Sequence, residues 1–126
     1  MEIQAIYTSN APEPVGHYSQ AITANGMAFI SGQLPIVPGS GDKITGTIED
    51  QTLQVLKNIE AITVAAGSNK SKIVRITVYI SDINLWGAVN KVYSGFFGDH
   101  KPARAMVPVR DLHYDFKIEM DAIAVI

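Results

Sequence analysis

Apolar and polar residues alternate along four stretches of the chain, which is the spacing of a strand that buries one face. Asn25 and Gly26 interrupt the second stretch, and because both residues tolerate a positive φ angle they predict a two-residue hairpin turn. The fourth stretch is long enough for two strands, with residues 110–113 as the turn between them. The pattern therefore predicts six strands, within residues 3–7, 17–32, 72–81 and 104–126.

Two other segments carry apolar residues at the spacing of a helix with one buried face. The first begins after Thr47, where Asp50 completes a pattern similar to a capping box, and it ends near Gly67. The second runs from Leu85 to Phe96. Both segments are long enough for helices that pack on a sheet.

The elements follow one another as three strands, a helix, a strand, a helix and two strands. Crossovers between parallel strands are right-handed, so two crossovers in the same direction place both helices on one side of the sheet. We therefore expect an α+β fold, a six-stranded mixed sheet with two helices packed on one face. The other face would carry Thr77, Tyr79, Ile123 and Val125 without a cover. A half-apolar face of this kind marks an interface, which predicts a closed homo-oligomer with ligand pockets at the seams between subunits.

The composition narrows the class of protein. The length predicts one domain, residues 1–126, and 47% hydrophobic against 17% charged residues excludes a disordered chain. The net charge is −2 and the Lys and Arg residues are scattered, so nucleic acid is not expected as the main partner. The chain has no cysteine and no apolar run that could span a membrane, and the acidic Glu2 without a long apolar core after it predicts that the chain carries no secretory leader. We therefore expect a cytoplasmic protein without disulfides or membrane contact.

The two closing strands hold an arginine and a glutamate among apolar residues. If residues 110–113 form the turn, Val109 pairs with Tyr114, and Arg104 therefore pairs with Glu119. This register predicts that both charged side chains lie close together on the face without helices. It also predicts a set of apolar side chains on the core side, namely Ala105, Val107, Val109, Ile118, Met120, Ala122 and Ala124.

Two interpretations of this pair stay open on pattern alone. A cross-strand salt bridge would contribute less than about 1 kcal/mol if it is exposed. Alternatively, the guanidinium of Arg104 would bind a small anion through charge-assisted hydrogen bonds of about 1.5–3 kcal/mol each, with Glu119 holding a water molecule above the ligand.

Several motifs resemble the Rid (YjgF) family of reactive-intermediate deaminases. "PAR" at 102–104, Val107, Leu112 and "IEM" at 118–120 are similar to the C-terminal signature of that family. The likeness extends along the chain through three further segments, "NAPEPVGHYSQAI" (10–22), "SGQLPIVPGSG" (31–41) and "VNKVYSGFF" (89–97). Matches in order from one end to the other are more specific than one short motif.

The resemblance implies a chorismate-mutase-like domain that assembles as a homotrimer. The implied activity is hydrolysis of small reactive 2-imino acids, the products of PLP-dependent enzymes, to 2-keto acids and ammonia, without a metal or organic cofactor. As catalytic residues, Arg104 would bind the substrate carboxylate and Glu119 would position the attacking water. The implied substrate-binding residues are Tyr18, Ser31, Gly32, Asn90, Ala105 and Met106.

The chain departs from the family pattern around the expected pocket. His17 stands in place of a proline, Met106 in place of a cysteine and Pro108 in place of a glutamate. The turn "LHYDF", which contains His113, replaces a Leu-Pro-Lys turn. These differences leave two outcomes open, an altered substrate preference or a loss of the activity.

A second class of function is compatible with the same residues. A non-catalytic trimer that binds small carboxylates, as a regulator or a chaperone-like protein, would need the same arginine. Endoribonuclease activity has also been attributed to the family, but the acidic balance of this chain argues against RNA as the main partner.

Overall fold

The computed structural model describes residues 2–126, and its helices pack on one face of a single mixed sheet. This confirms the predicted α+β class. The strands are β1 Gln4–Ile6, β2 Ala21–Ala24, β3 Met27–Gln33, β4 Ile73–Ile80, β5 Ala103–Pro108 and β6 Ile118–Val125. The α-helices are α1 Ile48–Ala65 and α2 Trp86–Phe97. No helix within residues 2–126 combines the length and the hydropathy that a membrane crossing requires.

The local signals in the sequence act as expected. Asn25 and Gly26 have φ angles of 52° and 76°, and they join β2 to β3 in an antiparallel hairpin. The side-chain oxygen of Thr47 accepts a hydrogen bond of 3.1 Å from the backbone N–H of Asp50, which caps the first turn of α1. Gly67, with a φ of 90°, follows the end of this helix.

The order of strands in the sheet differs from the expected order at its C-terminal end. The order is β1-β2-β3-β6-β4-β5, so β6 lies between β3 and β4, and β5 pairs in parallel with β4 at the edge. The predicted hairpin between the last two strands is therefore wrong. Arg104 lies opposite Ile76 and Glu119 lies opposite Tyr79, each on its own side of β4.

The connection between β5 and β6 explains the error. Residues 109–117 do not form a four-residue turn but cross the end of β4. The N–H of Val109 donates to the carbonyl of Ile80, and the N–H of Ser81 donates to the carbonyl of Lys117. The chain is therefore fastened on both sides of β4 before it enters β6.

The hydrophobic core lies between the sheet and the two helices. In β6 the predicted face is confirmed, because Ile118, Met120, Ala122 and Ala124 are buried. In β5 the predicted face is wrong, because Met106 packs against the core and Val107 is exposed. A strand at the sheet edge is only half covered, and β5 carries apolar residues of both parities, so alternation could not decide its orientation.

The opposite face of the sheet carries no helix and is partly apolar. Thr77, Tyr79, Ile123 and Val125 lie on it, as the parity of β4 and β6 predicts. Phe29 in β3 joins them with 43% of its surface exposed. A half-apolar exposed face of this kind is typical of an interface, and the homo-oligomer stays a prediction.

Candidate functional site

One cavity brings four of the predicted site residues together. Tyr18, Ser31, Gly32 and Glu119 line a space of about 350 Å³ above the face of the sheet that carries no helix. His113 and Tyr114, from the connection between β5 and β6, also line this space. His113 lies in the turn that the sequence places near the expected pocket, whereas the sequence did not assign Tyr114 to the site. We call this space the Glu119 cavity.

Gly32 and Glu119 are packed directly against each other. The pairing of β3 with β6 shifts register between Ile30 and Gln33, and this irregularity brings the backbone at Gly32 under the carboxylate. A β-carbon on Gly32 would overlap Oε2 of Glu119 and would lie 3.2 Å from its Cδ atom. Only glycine therefore permits the observed position of the carboxylate.

The segment that carries Tyr18 is held by a buried glutamine. The side chain of Gln20 accepts a hydrogen bond from the N–H of Thr8 and donates to the carbonyls of Thr8 and Pro12, at 2.7, 3.0 and 3.0 Å. The hydroxyl of Ser31 donates to the carbonyl of Ser19 at 2.6 Å. These bonds fix residues 8–20 over β2 and β3, and a lone glutamine in an alternating strand gave no signal of this role.

The electrostatics of the cavity act on the carboxyl group of Glu119. Burial raises its pKa above the usual 4.5, the nearby His113 lowers it, and the negative charge of Asp121 raises it again. The net effect is a raised pKa. A glutamate of this kind exchanges a proton at a pH nearer to neutrality than an ordinary surface glutamate does, which suits a general base.

A second cavity, of about 430 Å³, contains the other charged residue. Arg104 lines it together with Asn90, Tyr93 and residues that follow α2. The Nη1 atom of Arg104 donates to Oδ1 of Asn90 at 2.8 Å, and the guanidinium lies over the ring of Tyr93, 4.8 Å from its centroid. These two contacts hold the guanidinium in one orientation at the end of an exposed side chain. We call this space the Arg104 cavity.

The remaining predicted residues lie on the same edge strand. Ala105 and Met106 pair with Thr77 and Val78 of β4. Because β5 is at the edge of the sheet, one of its two rows of backbone N–H and C=O groups has no strand partner within residues 2–126. A ligand role for Ala105 and Met106 stays a prediction.

The structure does not bring the two charged residues together within one protomer. Arg104 contacts α2 and therefore lies on the helix-covered face, whereas Glu119 lies on the opposite face. From the strand spacing and the register along β4, their α-carbons are about 14 Å apart. The predicted neighbouring pair is therefore wrong, because β4 separates the two strands and the side chains point to opposite faces. Each cavity holds part of the predicted site.

Comparison with known proteins identifies the family. The sequence profile described as endoribonuclease L-PSP matches residues 8–126. A RutC family protein of Pyrococcus horikoshii is 49% identical over 121 residues, which are 96% of this chain and 96% of that protein. This chain belongs to the Rid (YjgF) family.

Individual Rid proteins are close to this chain in both sequence and structure. An Escherichia coli protein named, provisionally, reactive intermediate deaminase TdcF is 41% identical over 123 residues, 95% of each chain. The crystal structure of E. coli TdcF with bound serine has a TM-score of 0.93 at 39% identity and covers 98% of both chains. A conserved Rid family protein of Yersinia pestis has a TM-score of 0.96 at 44% identity, with 99% of this chain and 100% of that chain covered.

Proposed function

We propose that this protein hydrolyses small 2-imino acids to 2-keto acids and ammonia, at a site formed between two protomers. The observation that carries the proposal is the division of the charged residues between two cavities. Among residues 2–126, the guanidinium of Arg104 is oriented by Asn90 in a cavity lined by no Asp or Glu, and no Lys or Arg lines the cavity of Glu119. Contact between the Arg104 cavity of one protomer and the Glu119 cavity of the next would complete the site.

The Arg104 cavity supplies the binding of the substrate carboxylate. A guanidinium stays charged at all physiological pH values and matches a carboxylate with two parallel hydrogen bonds. Asn90 and Tyr93 hold the arginine in place before the substrate arrives, so little side-chain entropy is lost on binding. The free backbone edge at Ala105 and Met106 adds donors and acceptors beside the same ligand.

The Glu119 cavity supplies the water. In the proposed reaction the carboxylate of Glu119 takes a proton from a water molecule while the oxygen attacks the imine carbon. The proton is returned to the nitrogen, the carbon–nitrogen bond breaks as the hydroxyl gives its own proton to the carboxylate of Glu119, and ammonia leaves as the keto group forms. A protonated imine is already electrophilic, so the protein has to orient the water and the substrate and to move the two protons of the water. Tyr18 and Ser31 shape the space in which this happens.

The relatives support the substrate class. TdcF of E. coli is named, provisionally, as a reactive intermediate deaminase, and its crystal structure contains serine. Serine carries a carboxylate and a nitrogen on the same carbon, as a 2-imino acid does. The proposed ligand of this chain has the same arrangement.

A second candidate function is binding of small carboxylates without turnover. The serine bound to TdcF favours it, because that structure shows occupancy by an amino acid. The two candidates differ in one result: both bind a 2-keto acid through Arg104, but only the deaminase releases ammonia. RNA is disfavoured as the main partner because the net charge is −2 and the basic residues are scattered.

The proposed assembly is a homotrimer in the cytoplasm. The face of the sheet without helices is the surface on which protomers would meet, and it exposes Phe29, Val107 and Val125 by about two fifths each, at 43%, 38% and 41%. Sedimentation should give a mass three times that of the 13.6 kDa chain. A monomer at micromolar concentration would contradict the proposed site.

The activity is tested with 2-iminopropanoate generated in the cuvette by an amino-acid oxidase. We expect ammonia release well above the rate in buffer, and a loss of about 10²-fold in kcat/KM for Arg104→Ala, which removes two charge-assisted bonds. Arg110→Ala, at an exposed position outside both cavities, is the matched control and should behave as the parent. Hydrolysis no faster than in buffer, with Arg104-dependent binding of pyruvate, would favour the binder.

A further inference from the structure

The turn that enters β6 has an unusual backbone. Tyr114 and Asp115 have φ angles of 58° and 57°, so two consecutive residues other than glycine adopt the left-handed conformation. Such residues cost about 1–3 kcal/mol each and persist only where surrounding contacts impose them. The cost suggests that the turn holds a particular side chain in a particular place.

The contacts that impose this conformation are aromatic and electrostatic. The ring of Tyr114 packs edge-on against Phe116, with centroids 5.7 Å apart, and Phe116 is only 1% exposed. The Nζ atom of Lys43, from the loop before α1, lies over the Tyr114 ring, 4.7 Å from its centroid. Tyr114 thus contacts both the core and this loop.

This turn places an imidazole in the Glu119 cavity. His113 precedes Tyr114, their ring centroids are 6.2 Å apart, and both side chains line the cavity together with Glu119. Histidine is the side chain whose charge ordinarily changes between pH 5 and 8. The other titratable or charged groups around the carboxylate are Tyr18, Tyr79, Tyr114 and Asp121. Among residues 2–126, no Lys or Arg lines this cavity, so His113 is the side chain there that can carry a positive charge, and no metal-binding group of His, Asp and Glu is present.

We infer that His113 is a positioning residue of this Rid protein, whose imidazolium faces Glu119 across the cavity and keeps it an oriented carboxylate. The inference rests on the proposed function for its catalytic meaning. In physical terms, burial and Asp121 favour the protonated carboxyl, which cannot accept a proton from water, and His113 opposes both. The sequence "LHYDF" thus places a side chain that can carry a positive charge in the turn that enters β6.

The direct test is the titration of the Glu119 side-chain carbonyl carbon by NMR in the intact protein. In His113→Gln the midpoint should move to higher pH, because the opposing positive charge is gone. In His113→Lys, which keeps a cation, the midpoint should return toward that of the parent. His17→Gln is the matched control, since His17 is an exposed neighbour of the cavity that does not line it, and it should leave the midpoint unchanged.

A measurement on the parent protein guards against a variant that fails to fold. The Glu119 carbon resonance should show a second, smaller inflection at the pH where the imidazole resonances of His113 change. Absence of that inflection, or an unchanged midpoint in a folded His113→Gln, overturns the inference. An equal shift in His17→Gln would also overturn it, because the effect would then be a general one of net charge.

The activity profile separates this inference from the proposed function. If the protein hydrolyses imines, the acid limb of kcat/KM in His113→Gln should move to higher pH, with rates several-fold below the parent near pH 6 and close to it near pH 9. If no hydrolysis is found, the NMR titration still shows whether His113 acts on Glu119. If the Glu119 titration is shifted in His113→Gln but the parent protein hydrolyses no imine, the proposed deaminase activity is rejected and the effect of His113 on Glu119 is retained.

Discussion

The carboxylate of Glu119 lies against the backbone of Gly32, so close that a β-carbon at that position would overlap Oε2. The contact lies where β3 and β6 shift register, and both residues line the Glu119 cavity. A residue without a side chain thus determines the position of the proposed catalytic base. Four predictions test this geometry and the assembly proposed from it.

Replacing Gly32 with alanine should displace the Glu119 carboxylate. The φ angle of Gly32 is not in the left-handed region, so the backbone accepts alanine and the strain is confined to the side chain. We expect imine hydrolysis to fall by about 10²-fold or more, the usual contribution of a positioned general base, and stability to fall by about 1–3 kcal/mol. Ammonia release and thermal unfolding measure the two effects.

Gly95→Ala is the matched control for this substitution. Gly95 is exposed within α2, and a β-carbon there meets no atom within 4 Å. Alanine should stabilise the helix by about 0.5–1 kcal/mol and leave hydrolysis unchanged. Full activity in Gly32→Ala would show that the contact with Glu119 does not position the base.

Two inactive variants should complement each other when they are mixed. If each site takes Arg104 from one protomer and Glu119 from its neighbour, a hybrid of Arg104→Ala and Glu119→Gln chains contains some sites with both native residues. Random assembly at equal amounts makes about a quarter of the sites intact. Unfolding and refolding the two variants together should therefore restore about a quarter of the parental rate, and separately refolded samples mixed afterwards provide the control. No recovery in proven hybrids would place both residues of a site in one chain.

The negative charge of Asp121 should contribute to the pH dependence of imine hydrolysis. Because the pKa of Glu119 is raised, the carboxylate is protonated, and activity lost, as the pH falls through a value above 4.5. Asparagine at position 121 removes a negative charge that raises this pKa, so the acid limb of kcat/KM should move to lower pH. The hydrogen bond that Asp121 Oδ2 accepts from the Tyr79 hydroxyl, at 3.0 Å, can be kept by the amide oxygen. Asp99→Asn, at an exposed position outside both cavities, is the control and should not move the acid limb. An unchanged acid limb in Asp121→Asn would contradict the effect of Asp121 on the pKa of Glu119.

The hydroxyl of Tyr93 should lower the stability of the folded protein slightly. It is a buried side-chain polar atom without a hydrogen-bond partner within residues 2–126. Phenylalanine keeps the ring under Arg104 and removes the unpaired group, so we expect a gain of about 1 kcal/mol, or roughly 3–5 °C in Tm at fixed protein concentration. Tyr79→Phe, which loses a made hydrogen bond, should change stability in the opposite direction. A loss of stability in Tyr93→Phe would mean that the hydroxyl gains a partner on assembly.

The sequence alone predicts local structure correctly wherever that structure depends on residues only a few positions apart. The positive φ angles at Asn25 and Gly26 and the cap at Thr47 depend on residues within a few positions, and each was predicted correctly. The inward face of β6 was also correct, since four apolar residues of one parity leave a single way to bury the strand. The family was identifiable from motifs in the right order along the chain.

Pairing between distant segments was decided only by the tertiary structure. Alternation in β5 fits either orientation, and nothing local shows that residues 109–117 cross β4 rather than turn back. β4 lies between the strands of Arg104 and Glu119, and the two residues pair with it three positions apart, at Ile76 and Tyr79, which point to opposite faces of the sheet. The sequence determined which residues carry charge and which face of β6 is apolar, because those properties belong to single side chains and their spacing. Which charges meet depends on strand order, since that order results from the packing of the whole sheet against its helices.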